Sequence, residues 1–332
     1  MLLLIPHLFP SARLLEAAAQ DLHLPALQTL LARGSRLACP ADGVEAALCE
    51  ALGIARQQDW PLAPITLTAD GGLAGGAYWL RADPVHLRVL RDRIVLADSS
   101  AFELTQAEAD ALAAAIAQHF GATLSPMPLQ PKRWYLRLEH APRLTTTAPS
   151  LAAGRAIGPL LPQGVDAVQF RTLLNELQML LHGHPVNLAR EARGDLPVNA
   201  LWLWGGGELP SCPAAAVSIY ARNADALALG AFCNRRALAL PDRLDPCLLG
   251  TGGVMLLDHL TPAGQYGDAL GWRAALRELE RDWFVLLQGA LRRIGPHGLR
   301  LNDPVNGKAL LLHAGDAWKF WRHSQDLVSM LA

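Results

Sequence analysis

The stretch Asn-Ala-Leu-Trp-Leu-Trp-Gly-Gly-Gly at residues 199–207 constrains the fold more than any other. The stretch Asn199–Trp204, running directly into the glycines, predicts a buried strand. Glycine permits a tight reversal and lets a ligand approach backbone N–H groups. In α/β sheets, binding crevices open beyond the carboxyl ends of strands, which makes Gly205, Gly206 and Gly207 a candidate site. With a period of two, Trp202 and Trp204 share one face and pack under helices, and core packing is also expected of Trp318 and Trp321.

Elsewhere, short apolar runs at Leu2–Ile5, Val254–Leu257, Ala309–Leu312 and Ala214–Ile219 read as further strands. Ser11–Ala32 reads as helical, in two pieces because Pro25 is awkward inside a helix. Val44–Leu52 and the leucine-spaced stretch Phe170–Leu181 are helical, as is a long amphipathic segment over Ala269–Arg293. Asp59–Gly76, rich in proline and glycine, is expected to be mainly loop. Strand segments at Tyr78–Leu80 and His86–Leu90, a turn at Arg91–Asp92–Arg93 and the run Ile94–Ala97 suggest a hairpin. Thr105 and Glu108 form a capping-box signature for a helix toward Phe120, and Trp134–Leu138 alternates as a strand. These segments define an inserted α+β subdomain over 69–139. The main domain is made of 1–68 and 140–332, and the chain has no internal repeat.

Composition narrows the classes. The 332 residues carry 29 basic and 30 acidic side chains, a net charge of −1, which gives no support for nucleic-acid binding. The longest apolar run is about seven residues, far short of a membrane span, and the start MLLLIPHLFPSARLL lacks the basic region of a secretory leader. Five widely spread cysteines read as reduced thiols rather than a disulfide or zinc framework, so a cytoplasmic location is expected.

His184, Asn187 and Arg190 lead to Asn199 and the glycines in HGHPVNLAREARGDLPVNALWLWGGG. An arginine there can hold a phosphate or carboxylate through two N–H bonds, with His184 and Asn187 as neutral partners and Asn199 in the same candidate site. The same residues also read as a packed turn with Arg190 solvated. The glycines match neither a phosphate-binding Walker loop nor a dinucleotide fingerprint, because Pro210 follows where a helix would open. Asp258, His259, Asp268 and His313 are alternative metal ligands, although Asp268 equally suits a helix cap. Ser11 lacks a nucleophile elbow and reads more simply as a cap.

Taken in order, these segments resemble the archaeal-type cofactor-independent phosphoglycerate mutases of the alkaline phosphatase superfamily. HPVNLAREARGDLPVNALWLWGGG is similar to that family's HPVN, Arg, Pro-x-Asn and WxWG-x-G stretch. RADPVHLRVLRDRIVLADSSAFELTQAEADAL is similar to its inserted-domain segment, and LLDHLTPAGQYGDALGWRAALRELE to its late helix. The resemblance implies an alkaline phosphatase-like mixed sheet covered by helices, with an inserted α+β subdomain. It extends to a bacterial mutase-like group described as regulatory proteins of a pathogenicity-factor cluster.

The family's metal-binding residues are matched poorly. Its first strand ends in Asp-Gly, whereas this chain reads IPHLFPS, with no carboxylate before Glu16. Its late Asp-Glu and following His are met by Thr261-Pro262 and Tyr266, and its final Asp-His only loosely by His313 to Asp316. The expectation is a binding or regulatory protein without the metal-dependent reaction and without a cofactor, taking a small anion or a protein partner. A rearranged Mn or Zn site supporting phosphoryl transfer is the alternative, and a structural subunit of a complex is a third reading.

Overall fold

A computed structural model of the chain describes residues 1–91, 93–212, 217–233, 236–250 and 252–332. The centre of the expected turn, Asp92, and the 214–216 part of the expected Ala214–Ile219 strand lie outside the described residues. Strands β1 (Leu2–Leu4) and β2 (Ser35–Ala38) come first. They are followed by β3 (Tyr78–Val89), β4 (Ile94–Ala97), β5 (Met127–Gln130), β6 (Arg133–Leu138), β7 (Leu144–Thr145), β8 (Gln163–Gly164) and β9 (Ala200–Gly207). The last are β10 (Ile219–Ala221), β11 (Ala237–Ala239), β12 (Val254–Leu256), β13 (Leu299–Asp303) and β14 (Lys308–Leu312).

The helices begin with α1 (Ala12–Ala18), α2 (Pro25–Arg33), α3 (Gly43–Leu52), α4 (Leu62–Ala69) and α5 (Gln106–Phe120). Then come α6 (Pro149–Ala152), α7 (Ala167–His182), α8 (Pro185–Ala192) and α9 (Ala224–Phe232). The series ends with α10 (Thr261–Tyr266), α11 (Ala269–Leu279), α12 (Val285–Gly289) and α13 (Leu327–Leu331).

The chain divides into two compact units, Met1–Gly53 with Pro213–Ala332, and Ile54–Cys212. In the first, a mixed sheet runs β11-β10-β12-β1-β13-β14-β2. The strands β11, β10, β12, β1 and β13 are parallel, while β14 is antiparallel to both its neighbours. One large apolar cluster joins Leu3 and Ile5 to Leu27, Leu30, Trp272 and Phe284.

Pro25 does split the first helical region, standing at the first position of α2. The segment Ala269–Arg293, expected to be one long helix, is interrupted by a π-helical turn at Glu280–Phe284. The turn coincides with a buried acid. Glu280 accepts from the backbone N–H groups of Ala26 and Leu27 at 2.7 and 3.0 Å, supplying the cap that Leu24 cannot give α2.

The second unit contains β3, β4, β5, β6 and β9, with β9 antiparallel to β3. Its core joins Leu80 and Trp134 from the sheet to Leu112 and Ile116 of α5, Leu177 of α7 and Leu203 of β9. This unit, 54–212, is larger than the expected insert of 69–139, because β9 and α7 complete its sheet and core. β9 therefore joins the smaller sheet rather than the seven-stranded one expected to receive it.

Two expected breaks are absent. β3 runs unbroken through Asp83-Pro84, with Pro84 falling between the stretches paired with β6 (78–81) and β4 (86–89). That flank has no strand partner there, so the missing N–H removes no ladder bond. α4 occupies the expected loop, starting just after Pro61, and Thr66 and Thr68 return their hydroxyls to the carbonyls of Leu62 and Pro64. Trp202 and Trp204 are buried as expected, but Trp318 and Trp321 are more than half exposed.

Candidate functional site

α8 is a short helix whose first residue is proline and whose cap is His184. The His184 Nδ1 accepts from the Val186 N–H at 3.2 Å, and burial lowers the pKa of the ring. Asn187 is fully buried. Its Nδ2 donates to the carbonyls of Leu181 and Val198, and its Oδ1 accepts from the Val198 N–H. That side chain joins the end of α7 to the entry of β9.

Arg190 is also buried, contrary to the reading in which it is solvated. Its Nε donates to the Leu196 carbonyl at 2.9 Å, its Nη2 to the Glu103 carbonyl at 2.7 Å, and its Nη1 to Glu108 at 3.1 Å. Partial burial works to raise the pKa of Glu108, but the Thr105 N–H, Arg193, the Thr105 hydroxyl and Arg190 together hold it down at about 2. Asn199 acts like one more backbone residue. Its Oδ1 accepts from the Leu87 N–H at 2.7 Å and its Nδ2 donates to the Leu87 carbonyl at 2.9 Å. His184, Asn187, Arg190 and Asn199 thus lie in one α7–α8–β9 connection, and the bonds of these side chains go to protein groups.

The three glycines continue β9 rather than following it. β9 carries one more residue between Trp204 and Gly207 than β3 does between Arg81 and Trp79, and Gly205 has a φ of +66° there. This is a bulge with glycine in the left-handed position. A Cβ on Gly206 would stand 2.5 Å from the Tyr78 hydroxyl, and one on Gly207 2.6 Å from Pro61. The side-chain space of both glycines is therefore occupied by protein. Burial, with Asp59 and Glu208 nearby, pushes the Tyr78 phenol up to about 12.

In the first unit, the carboxyl ends of β1, β12 and β13 share one edge of the sheet. β1 leads into buried Ile5, Leu8 and Phe9, and into His7, against which Gly264 of α10 is packed. Asp258 and His259 follow β12, where burial and then Arg222 lower the His259 pKa while Asp258 acts to raise it. Asp303, completely buried at the end of β13, accepts from the N–H groups of His7, Phe9, Val305 and Asn306 and from the Asn306 amide.

The alternative metal quartet does not come together. β14 is antiparallel to β13 with Leu312 opposite Leu299, so His313 lies beyond the other end of the sheet, beside Gly298. Asp268 caps α11 by accepting from the Gly271 N–H at 3.0 Å. Asp316 accepts from the His313 N–H at 2.8 Å and pairs with Lys319 at 2.6 Å. Among the described residues, no group of three His, Cys, Asp or Glu is arranged to hold a metal ion. The described residues at this edge thus show no cluster of donors for the two metal ions that the family resemblance implies.

One buried charged cluster gave no motif in the sequence. On β3, Arg81 donates through Nε and Nη2 to both oxygens of Asp83 at 2.9 Å. The guanidinium lies 4.9 Å from the Trp204 ring centre and 5.5 Å from that of Tyr135. Asp83 also accepts from the Trp204 indole at 2.7 Å. The i, i+2 spacing of Arg81 and Asp83 on a strand was the available signal.

The helix-covered mixed sheet, together with the smaller β-rich unit, is an alkaline-phosphatase-like fold. The chain is homologous to cofactor-independent phosphoglycerate mutases in general. It is 30% identical over 154 residues to a probable 2,3-bisphosphoglycerate-independent phosphoglycerate mutase of Geobacter sulfurreducens, covering 45% of this chain and 38% of that protein. It is 40% identical over 67 residues to the 2,3-bisphosphoglycerate-independent phosphoglycerate mutase of Methanothrix thermoacetophila, or 20% of this chain and 17% of that one. The matches thus span less than half of either relative. The PH0037 protein of Pyrococcus horikoshii has the same fold, with a TM-score of 0.51 at 11% identity, over 99% of this chain and 91% of that one. No family model matches the chain. No helix among the described residues is long and apolar enough to cross a membrane.

Proposed function

We propose that this chain is a mutase-like binding or regulatory protein of the cytoplasm that does not carry out metal-dependent phosphoryl transfer. One observation carries the reading. At the edge where β1, β12 and β13 end, the buried Asp303 carboxylate is committed to five protein N–H groups, and Ile5, Leu8 and Phe9 fill the end of β1. A two-metal phosphoryl transfer needs carboxylates and histidines that face the ions and screen the phosphoryl oxygens. Here the polar residues that carry the family resemblance, from His184 to Asn199, hold the chain together instead. The ligand is a small phosphorylated or carboxylated anion or a protein partner.

The test is metal analysis of the purified protein together with assays of phosphoglycerate interconversion in added Mn²⁺ or Zn²⁺. The expected result is substoichiometric metal and no turnover. Stoichiometric metal that disappears in Asp258→Asn, accompanied by turnover, would overturn the proposal.

A further inference from the structure

The second unit contains a cavity of about 570 Å³ between α7, β9, the β3–β4 hairpin and residues 156–161. That size lies within the range of small-ligand pockets. Its apolar wall includes Leu87, Ile94, Ile157, Leu174, Leu201 and Trp202. The polar part of the lining has one sign of charge, since Arg93 and Arg171 contribute to it and no Asp or Glu does.

Arg171, Leu174, Asn175 and Gln178 reach the cavity from one helical face, following the i, i+3, i+4, i+7 spacing. Arg171 is anchored but not neutralised. Its Nε and Nη2 donate to the Pro162 carbonyl at 3.2 and 2.9 Å, and among the described residues it forms no ion pair. Nη1 remains available, and the Asn175 and Gln178 amides make no hydrogen bond among the described residues. A guanidinium held in place by a carbonyl loses little freedom when it binds an anion. Arg171 is exposed, so it stands where the cavity meets solvent while the apolar wall lies within.

We infer that this cavity binds an amphipathic anion, an alkyl or aryl body seated among the leucines, isoleucines and Trp202, with its carboxylate or phosphate on Arg171. The inference rests on the cavity lining alone and is independent of the reading proposed for the edge of the seven-stranded sheet.

The experiment uses the full chain and titrates decanoate, decyl phosphate and decanol below their aggregation thresholds, with calorimetry as the readout. Single-site saturable binding of at least one of the two anions is expected, and which one binds distinguishes carboxylate from phosphate. Arg171→Gln should weaken the anion at least tenfold, leave decanol unchanged and melt like the parent protein. A Leu174→Trp variant, which fills the cavity, should abolish binding of all three, and Trp202→Phe should remove any accompanying fluorescence change. Failure of both anions to bind, or equal anion affinity in Arg171→Gln, overturns the inference.

Discussion

In the first unit the buried Asp303 carboxylate is surrounded by N–H groups from the loops after β1 and β13, whereas in the second the buried Asp83 carboxylate faces a guanidinium. Backbone donors come with the fold and cannot be substituted away. A guanidinium can. The first arrangement binds chain segments almost 300 residues apart in sequence to one side chain, while the second pairs two side chains of β3 and reaches from there to the Trp204 indole of β9 and the Trp134 N–H of β6. The same chemical group is therefore held by uncharged N–H groups in one unit and chiefly by a charged side chain in the other.

The comparison breaks most sharply at Asp83. Asp83→Ala leaves Arg81 buried without its partner and should cost about 3–5 kcal/mol in chemical denaturation. The double replacement Arg81→Met with Asp83→Leu should recover part of that loss, since removing both charges avoids burying either one while the Trp204 indole and the Trp134 N–H still lose their acceptor. Asp303→Ala should cost about 2–4 kcal/mol by orphaning backbone donors, and no second substitution should rescue it. Rescue of Asp303→Ala by a change elsewhere would abolish the distinction between a carboxylate held by backbone donors and one held by a guanidinium.

The smallest effect belongs to Glu108, whose carboxyl is held at about 2 from a reference of 4.5. The folded state therefore takes up this proton less readily than the unfolded state. The stabilisation is fully present above pH 4.5 and disappears as pH falls toward 2. It should amount to about 1–2 kcal/mol after allowance for solvent screening, and Glu108→Gln should flatten the acid limb of a stability–pH curve by that amount.

Local signals in the sequence were the most legible. Pro25 marks the start of α2, and Thr105 with Glu108 forms both halves of the capping box that starts α5. α4 was not legible, because its prolines stand at the cap and in the first turn, where a helix tolerates them. The break in the Ala269–Arg293 helix was hidden because Glu280 answers N–H groups more than 250 residues away. The HPVN stretch was legible as a unit, but its work was not. Asn187, Arg190 and Asn199 bond mainly to backbone groups, which have no residue-type signature. On α7 the leucine spacing was visible, while nothing in the sequence singled out Arg171, Asn175 and Gln178, which line the cavity.

The paired bonds between Asn199 and Leu87 have a consequence for how β9 joins its sheet. One end of the strand is keyed by that amide and the other by the left-handed bulge at Gly205. A slip of one residue would unseat both keys and turn Trp202 and Trp204 to the face now held by Leu201 and Leu203. The strand has a single alignment in which it closes.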